Sequence, residues 1–338
     1  MDILTQALLG GVLAQAVASK NEKKIATLTG CVAGVIADAD ILIQSSADPL
    51  LTIEYHRHFS HSLFFIPVGA VIALMLLWPF LRRRISVSRL YLFCFAGFSL
   101  SGVLDACTSY GTHLLWPFSD ERIAWNIIAI IDPVFTIALL ITLVLGLRIK
   151  YRQVAYWGLS FSLAYMLAGY LQLQRATSVS VDLAEKRGHT IKRHVVKPTL
   201  GNLLLWRSVY IHQDRIYVDA VRVGLLDGSQ VYEGEAVRRF SLERDLPGLD
   251  MSSVLSADIQ RFKTFSDGYL AYDPGRNDVI GDMRYSILPN SARPLWGIII
   301  DSEKPQQHAP YKFFRDTSQK VRTKFFNMML GRCESTPC

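Results

Sequence analysis

Charge is scarce in this chain. Lysine, arginine, aspartate and glutamate make up 19% of its 338 residues, against about 25% in an average soluble domain. The scarcity is uneven. Residues 1–175 hold 13 basic and 10 acidic residues, and residues 176–338 hold 23 and 19. An apolar first half and a soluble second half follow, and the length suits two domains. Neither half carries a dense basic stripe, since the net charge of +7 divides as +3 and +4, which excludes nucleic acid as a partner. Five cysteines with no Cys-x-x-Cys pair exclude a zinc ribbon and a disulfide framework. Cys31, Cys94 and Cys107 lie in or beside apolar segments as buried thiols. Cys333 and Cys338 are close enough in sequence to pair if that end meets an oxidising compartment. No positive charge precedes the first apolar run. Asp2 comes first, and Lys20, Lys23 and Lys24 follow, which excludes an ordinary secretory signal.

What the first half does contain is apolar runs. A spanning helix needs about 20 apolar residues. Residues 63–81 and 153–174 meet this without a charge, and residues 123–147 do so apart from Asp132. Residues 90–104 are shorter. Residues 25–37 run apolar into Asp38 and Asp40. Residues 3–18 are the shortest case, with Gly10 and Gly11 inside. The expectation is a helical polytopic domain of about six helices over 1–175. Loops 19–24, 81–89 and 148–152 hold ten basic residues, whereas loops 44–62 and 105–122 hold only Arg57 and Arg122. This alternation predicts basic loops in the cytoplasm, an outer N-terminus, and everything after residue 175 on the outer, periplasmic side of the inner membrane. Membrane lipids are then the first partner.

Charged groups near apolar spans cost roughly 2.5–3.5 kcal/mol at a helix centre, so their placement is informative. Asp38 and Asp40 end one segment, and His56, His58 and His61 precede the next. Asp105 ends a third, His113 follows it, Asp132 lies inside the fifth, and Asp2 heads the first. The predicted topology gathers all of them at the outer face. Carboxylates and imidazoles are the usual ligands of zinc and similar divalent ions. Two aspartates two residues apart do not share a helix face, so Asp38 and Asp40 meet one site only where the helix ends and the chain turns. Each residue also has a plain structural reading as a helix cap or interfacial group.

The runs MDILTQALLGGVL, GVIADADIL, HRHFSHSL, DACTSYGTHLLWPFSDERIAW and IIDPVF resemble the YdjM-like family of bacterial inner-membrane metal-dependent hydrolases, over roughly residues 1–140. The resemblance implies a membrane-embedded hydrolase with a divalent metal, and maps the family's positions onto Asp38, Asp40, His56, His61, Asp105 and Asp132, with Asp2 as an addition. One departure is plain: the family usually has Thr-His near its start, whereas Thr5 is followed here by Gln6. His58 and His113 are the candidate substitutes.

On this reading His56, His61, Asp40 and Asp105 are the expected ligands. Asp38 is the expected partner or general base and Asp132 a further supporting group. Arg57 or Arg122 is expected to hold an anionic substrate. A site at the membrane–water boundary suits a lipid or other small-molecule ester or phosphoester. Two rival functions stand beside it, an ion or solute transporter component, since intramembrane acids mark ion paths, and a non-enzymatic membrane scaffold.

Residues 176–338 read as a β-rich α+β domain. LWRSVYIH (205–212), IYVDAVRVGLL (216–226) and WGIII (296–300) favour strands, and Asp227-Gly228 suggests a hairpin turn. Residues 311–332 suggest a basic amphipathic helix with Phe314, Val321, Phe325 and Met328 on one stripe. His189, His194, His212 and His308 show no metal-like spacing. A role in binding substrate or covering the membrane site fits this domain.

Overall fold

The computed structural model describes residues 1–225 and 228–332. It divides into two compact units. The first comprises Met1–Ile43, Tyr55–Leu171 and Leu200–Asn202. The second comprises Gln44–Glu54, Gln172–Thr199 and the described residues from Leu203 onward.

The first unit is helical. Its elements are α1 (Ile3–Val17), α2 (Lys23–Ile36), a 3₁₀ stretch (Ala37–Leu42), the end of the short α3 (Leu51–Tyr55), α4 (Ile66–Leu81), α5 (Val87–Phe98), α6 (Ser101–Ala106), α7 (Pro133–Ile149) and the first part of α8 (Arg152–Lys186). Among the described residues, four stretches are long and apolar enough to cross a membrane: Lys23–Leu42, Leu63–Leu81, Val87–Ala106 and Arg152–Lys186. Ile3–Val17 and Pro133–Ile149 are shorter apolar helices. The outward faces stay apolar, with Met75, Leu76, Phe80, Trp157 and Leu163 exposed. That is the pattern expected of a lipid-facing surface.

Small residues bring the helices together. A Cβ on Gly10 would overlap the Gly30 carbonyl, and one on Gly97 would meet the Gly30 carbonyl at 2.6 Å. Gly34 lies as tightly against the Gln6 carbonyl. Glycines within α1, α2 and α5 thus permit backbone-to-backbone approach, which is how helices gain dispersion energy where lipid supplies no hydrophobic drive.

The span expected over 123–147 begins later than its hydropathy suggests. Ile123 pairs with Thr112 in an isolated antiparallel bridge, and Asn126 takes a left-handed backbone with φ 56°. The helix starts only at Pro133, whose fixed φ suits a first helical position. Asp132 caps it by accepting the Phe135 N–H at 3.1 Å. Asp2 does the same for α1, accepting from Thr5 N at 3.0 Å.

The second unit is β-rich. Strands β1 (Arg193–Pro198), β2 (Leu205–His212), β3 (Arg215–Val223), β4 (Ser229–Tyr232) and β5 (Ala236–Arg238) form one antiparallel sheet in order β1-β2-β3-β4, with β5 also on β3. After α9 (Leu242–Asp245) and α10 (Val254–Phe265) come β6 (Leu270–Asp273), β7 (Arg276–Asp282), β8 (Trp296–Ile299) and β9 (Tyr311–Phe313), an antiparallel sheet in that order, and then α11 (Gln319–Leu330). Val209, Ile211, Ile216 and Val218 of the first sheet bury against Tyr269, Ala271 and Met283. The expected strands 205–212, 216–226 and 296–300 correspond to β2, β3 and β8. The hairpin expected at Asp227-Gly228 has β3 and β4 as its arms, but Asp227 lies outside the described residues, as do Cys333 and Cys338. The helix expected over 311–332 is shorter. Tyr311–Phe313 pair with β8 instead, because their alternating side chains suit a sheet edge, and Phe314 falls off the stripe. Met328 is fully buried with Leu205, Ala220 and Tyr232, so α11 packs on its own sheet.

Candidate metal centre

The 3₁₀ stretch that ends α2 turns both Asp38 and Asp40 inward, to 8% and 4% exposure. A continued α-helix would have splayed them apart. Asp40 is the organising acceptor of the following turn. Its Oδ2 accepts from Arg57 N at 2.7 Å and from Ser60 Oγ at 2.9 Å. Its Oδ1 meets His56 Nδ1 at 3.0 Å, and its Oδ2 lies 3.1 Å from His61 Nδ1. Arg57 can present its N–H because its backbone is left-handed, with φ 60°, a conformation disfavoured for a side-chain-bearing residue and retained where surroundings demand it.

On the far side of the His61 ring, Nε2 lies 3.3 Å from Asp38 Oδ1 and 3.0 Å from Asp105 Oδ2. Asp38, His61 and Asp105 are all buried, and each offers a ligand atom within 4.8 Å of the others. Asp38 Oδ2, His61 Nε2 and Asp105 Oδ2 are buried without a hydrogen-bond partner. Asp105, at the end of α6, also meets Arg57 Nε at 3.2 Å and the ammonium of Met1. Gly102 one turn earlier has no side chain because the His61 carbonyl occupies that space.

Two buried carboxylates and an imidazole this close together are residue types that can hold a divalent cation. Asp40 behind His61 matches the carboxylate–histidine–metal arrangement that fixes the ring tautomer. The geometry puts Asp38 beside His61 Nε2 and Asp105, and Asp40 at His61 Nδ1. The sequence reading takes Asp40 as ligand and Asp38 as partner; in the structure the two lie at opposite nitrogens of the His61 ring. His56 stays on Asp40, one residue removed from the trio.

The remaining expected residues lie around this core. His58 packs 4.4 Å from His113 between ring centroids and near Trp116. His113 Nε2 accepts from Arg122 Nε at 3.1 Å. Burial and the Arg122 charge push the His113 imidazole down to about 3, and burial lowers His56 and His58 as well. Arg122 also donates to the His56 carbonyl at 2.9 Å, and Arg57 to Thr108 Oγ1 at 2.8 Å. Asp132 is engaged as a helix cap and accepts from Tyr165 Oη at 2.9 Å. Asp2 caps α1 and accepts from Thr5 Oγ1 at 2.6 Å. Gln6 donates to the Ser101 carbonyl at 3.3 Å. Sequence reasoning passed over Ser60 and Thr108, whose only signal was a hydroxyl inside the histidine and Asp105 motifs.

Among the described residues, a second trio lies in the second unit. His308, read from sequence as ordinary, meets Asp258 at 2.9 Å and lies 3.9 Å from Asp48. Arg261 contacts the same Asp48 and Asp258 and also Glu54, at 2.9, 2.9 and 2.7 Å. Its guanidinium already answers these acids, so the cluster fastens Gln44–Glu54 to α10.

No curated protein and no solved structure matches the chain. A family model described as YdjM inner membrane protein matches residues 1–176, more than half of the chain, and it covers every residue of the Asp38–His61–Asp105 centre. With the apolar helices, that match makes this an inner-membrane protein, and the chain belongs to the YdjM inner membrane protein family.

Proposed function

We propose that the first unit is a membrane-embedded, metal-dependent hydrolase acting on an ester or phosphoester, with zinc or a similar divalent ion held by Asp38, His61 and Asp105. The observation that carries this reading is that Asp38, His61 and Asp105 are buried together, each offering a ligand atom within 4.8 Å of the others. Buried acids normally find partners, and a divalent cation is the partner this donor set suits. Such an ion acidifies water and polarises an ester or phosphoryl oxygen.

The chain's own residues divide the remaining work. Asp40 accepts from the 56–61 turn and orients His61 so that Nε2 faces the acids. Asp38 would hold the ion through Oδ1, 3.3 Å from His61 Nε2, which leaves its Oδ2 to take a proton from an attacking water. Arg57 and Arg122, both over the Tyr110 ring at 5.2 and 5.4 Å, supply fixed positive charge for an anionic substrate. The ten-to-two division of basic residues between alternate loops supports an outer-face site and a periplasmic second unit. An amphiphilic or lipid-like substrate suits that depth.

The test is direct. Purified full-length protein should release hydrolysis product from a panel of phosphoesters and lipid esters, and chelation should stop it. Asp38→Asn, His61→Ala and Asp105→Asn should each lower the rate by at least about 100-fold. Unchanged turnover in all three would refute the assignment.

A further inference from the structure

The C-terminal helix α11 buries one face on its own sheet and leaves the other open. Met328 and Phe325 turn onto Leu205, Ala220 and Tyr232. The opposite stripe runs Arg322, Phe326, Leu330, spaced four residues apart and so on one face. Phe326 and Leu330 are 52% and 47% exposed. The charged residues of 319–332 are Lys320, Arg322, Lys324 and Arg332, and none is acidic. Outward Phe and Leu set among Lys and Arg are what an interfacial helix presents to anionic lipid. Packing on the sheet uses neither the outward apolar pair nor the basic residues beside it.

Contacts within the second unit tie this face to the end of an apolar helix. Residues 153–174 of α8 carry no charge, and Arg175 is the first charged residue after them. A basic residue at that position is where such a helix meets water. Arg175 Nη1 donates to the Gly224 carbonyl at 2.8 Å, and Gln172 Nε2 to the Val223 carbonyl at 3.0 Å. Leu173, Ala176 and Val179 pack on Trp206, Val221 and Val223. The end of β3 is thereby held where the apolar run stops, and the next residue, Leu225, is 72% exposed. α11 ends at the same place. Arg222 Nε donates to the Met329 carbonyl at 3.0 Å, and a Cβ on Gly331, whose φ is +70°, would meet the Arg222 guanidinium carbon at 3.0 Å. Leu225 and Leu330 therefore flank one strand end, beside the turn of α8 that bears Arg175.

We propose that the end of the β3–β4 hairpin and the open face of α11 rest on the surface of the inner membrane. Leu225, Phe326 and Leu330 enter the headgroup layer, and Lys320, Arg322 and Lys324 meet anionic phospholipid headgroups. The second unit is then held by lipid as well as by its covalent link through α8. This docking needs neither the metal nor hydrolysis, so it stands or falls apart from the proposed activity.

The first measurement uses the parent chain alone. Full-length protein is placed in nanodiscs, one chain per disc, of phosphatidylcholine or of an equal mixture of phosphatidylcholine and phosphatidylglycerol. Hydroxyl-radical footprinting read by mass spectrometry reports side-chain exposure. Oxidation of Leu225, Phe326 and Leu330 should be at least about fivefold slower in the anionic discs. Salt at about 0.5 M should remove most of that difference. Met251, 61% exposed elsewhere in the second unit, is the internal reference and should react equally in both discs. Equal rates for the three residues in the two lipids would overturn the proposal.

The second measurement repeats this with Lys320→Gln, Arg322→Gln and Lys324→Gln combined, all exchanges between good helix formers. The variant should lose the slower oxidation in anionic discs while Met251 stays as in the parent. Protection that survives the loss of these charges would contradict docking on anionic headgroups. Protection found only in discs that hold two chains would mean that a second copy covers the face, and would overturn the proposal as well. If the variant does not fold, the parent chain in the two lipids decides by itself.

Discussion

At the residue scale, Asp40 organises the 56–61 turn that carries His61. One carboxylate satisfies the Arg57 N–H, the Ser60 hydroxyl and two imidazoles. Asp40→Asn keeps the shape but replaces an acceptor by a donor facing His56 or His61. Metal affinity should fall about 10–100-fold, as for other orienting partners of ligand histidines, whereas His61→Ala should abolish stoichiometric binding. Competition against a chromophoric chelator reads both. A second residue-scale prediction concerns His194 in the second unit. It contacts Ser180 and Ser208 at 3.0 and 3.2 Å, and burial pushes it down to about 4 from 6.5. Folding holds the ring neutral, while the unfolded chain takes up a proton below 6.5. Stability is therefore complete above that pH and declines as pH falls toward 4, by about 3 kcal/mol at most. Urea titrations at pH 7 and 4.5 should show this loss, and His194→Gln should flatten it.

At the scale of elements, close approach is what brings the centre together. Gly102→Ala would drive a methyl into the His61 carbonyl and shift the turn that carries the ring. Overpacking of this kind costs about 1–3 kcal/mol, and metal affinity should drop with stability when thermal unfolding and binding are measured together. Arg261 holds the segment Gln44–Glu54 through Asp48 and Glu54. In Arg261→Ala these acids lose their cation, and limited proteolysis should cut within residues 44–54 sooner than in the parent. Element reading from sequence succeeded where period and length were strong, as in 63–81 and the β2–β3 pair. It failed at 123–132, because apolar composition does not distinguish helix from an extended run anchored by one bridge and stopped by Asp132-Pro133. It also could not rank Asp38 and Asp40. Their positions depend on a change from α to 3₁₀ geometry that spacing does not encode. The Asp258–His308 contact joins residues 50 apart, and no local pattern announces it.

At the scale of the whole molecule, the apolar helices and the family match agree on an inner-membrane protein. Orientation rests on the basic loops. Reporter fusions after residues 86 and 180 should report opposite sides, cytoplasmic for the first and periplasmic for the second. Two cytoplasmic signals would remove the outer-face site from the proposal. The motifs that carried the resemblance lay in the first half, and the match likewise ends at residue 176. The residues of the candidate trio were accordingly all singled out in the sequence, while the second unit was read as strands and a terminal helix without a site.

The most direct test of the central claim is elemental analysis of the purified full-length protein beside His61→Ala. The account predicts close to one equivalent of zinc or a similar divalent metal in the parent, and none above background in the variant. An absence of metal in the parent, or equal metal in both, would contradict it.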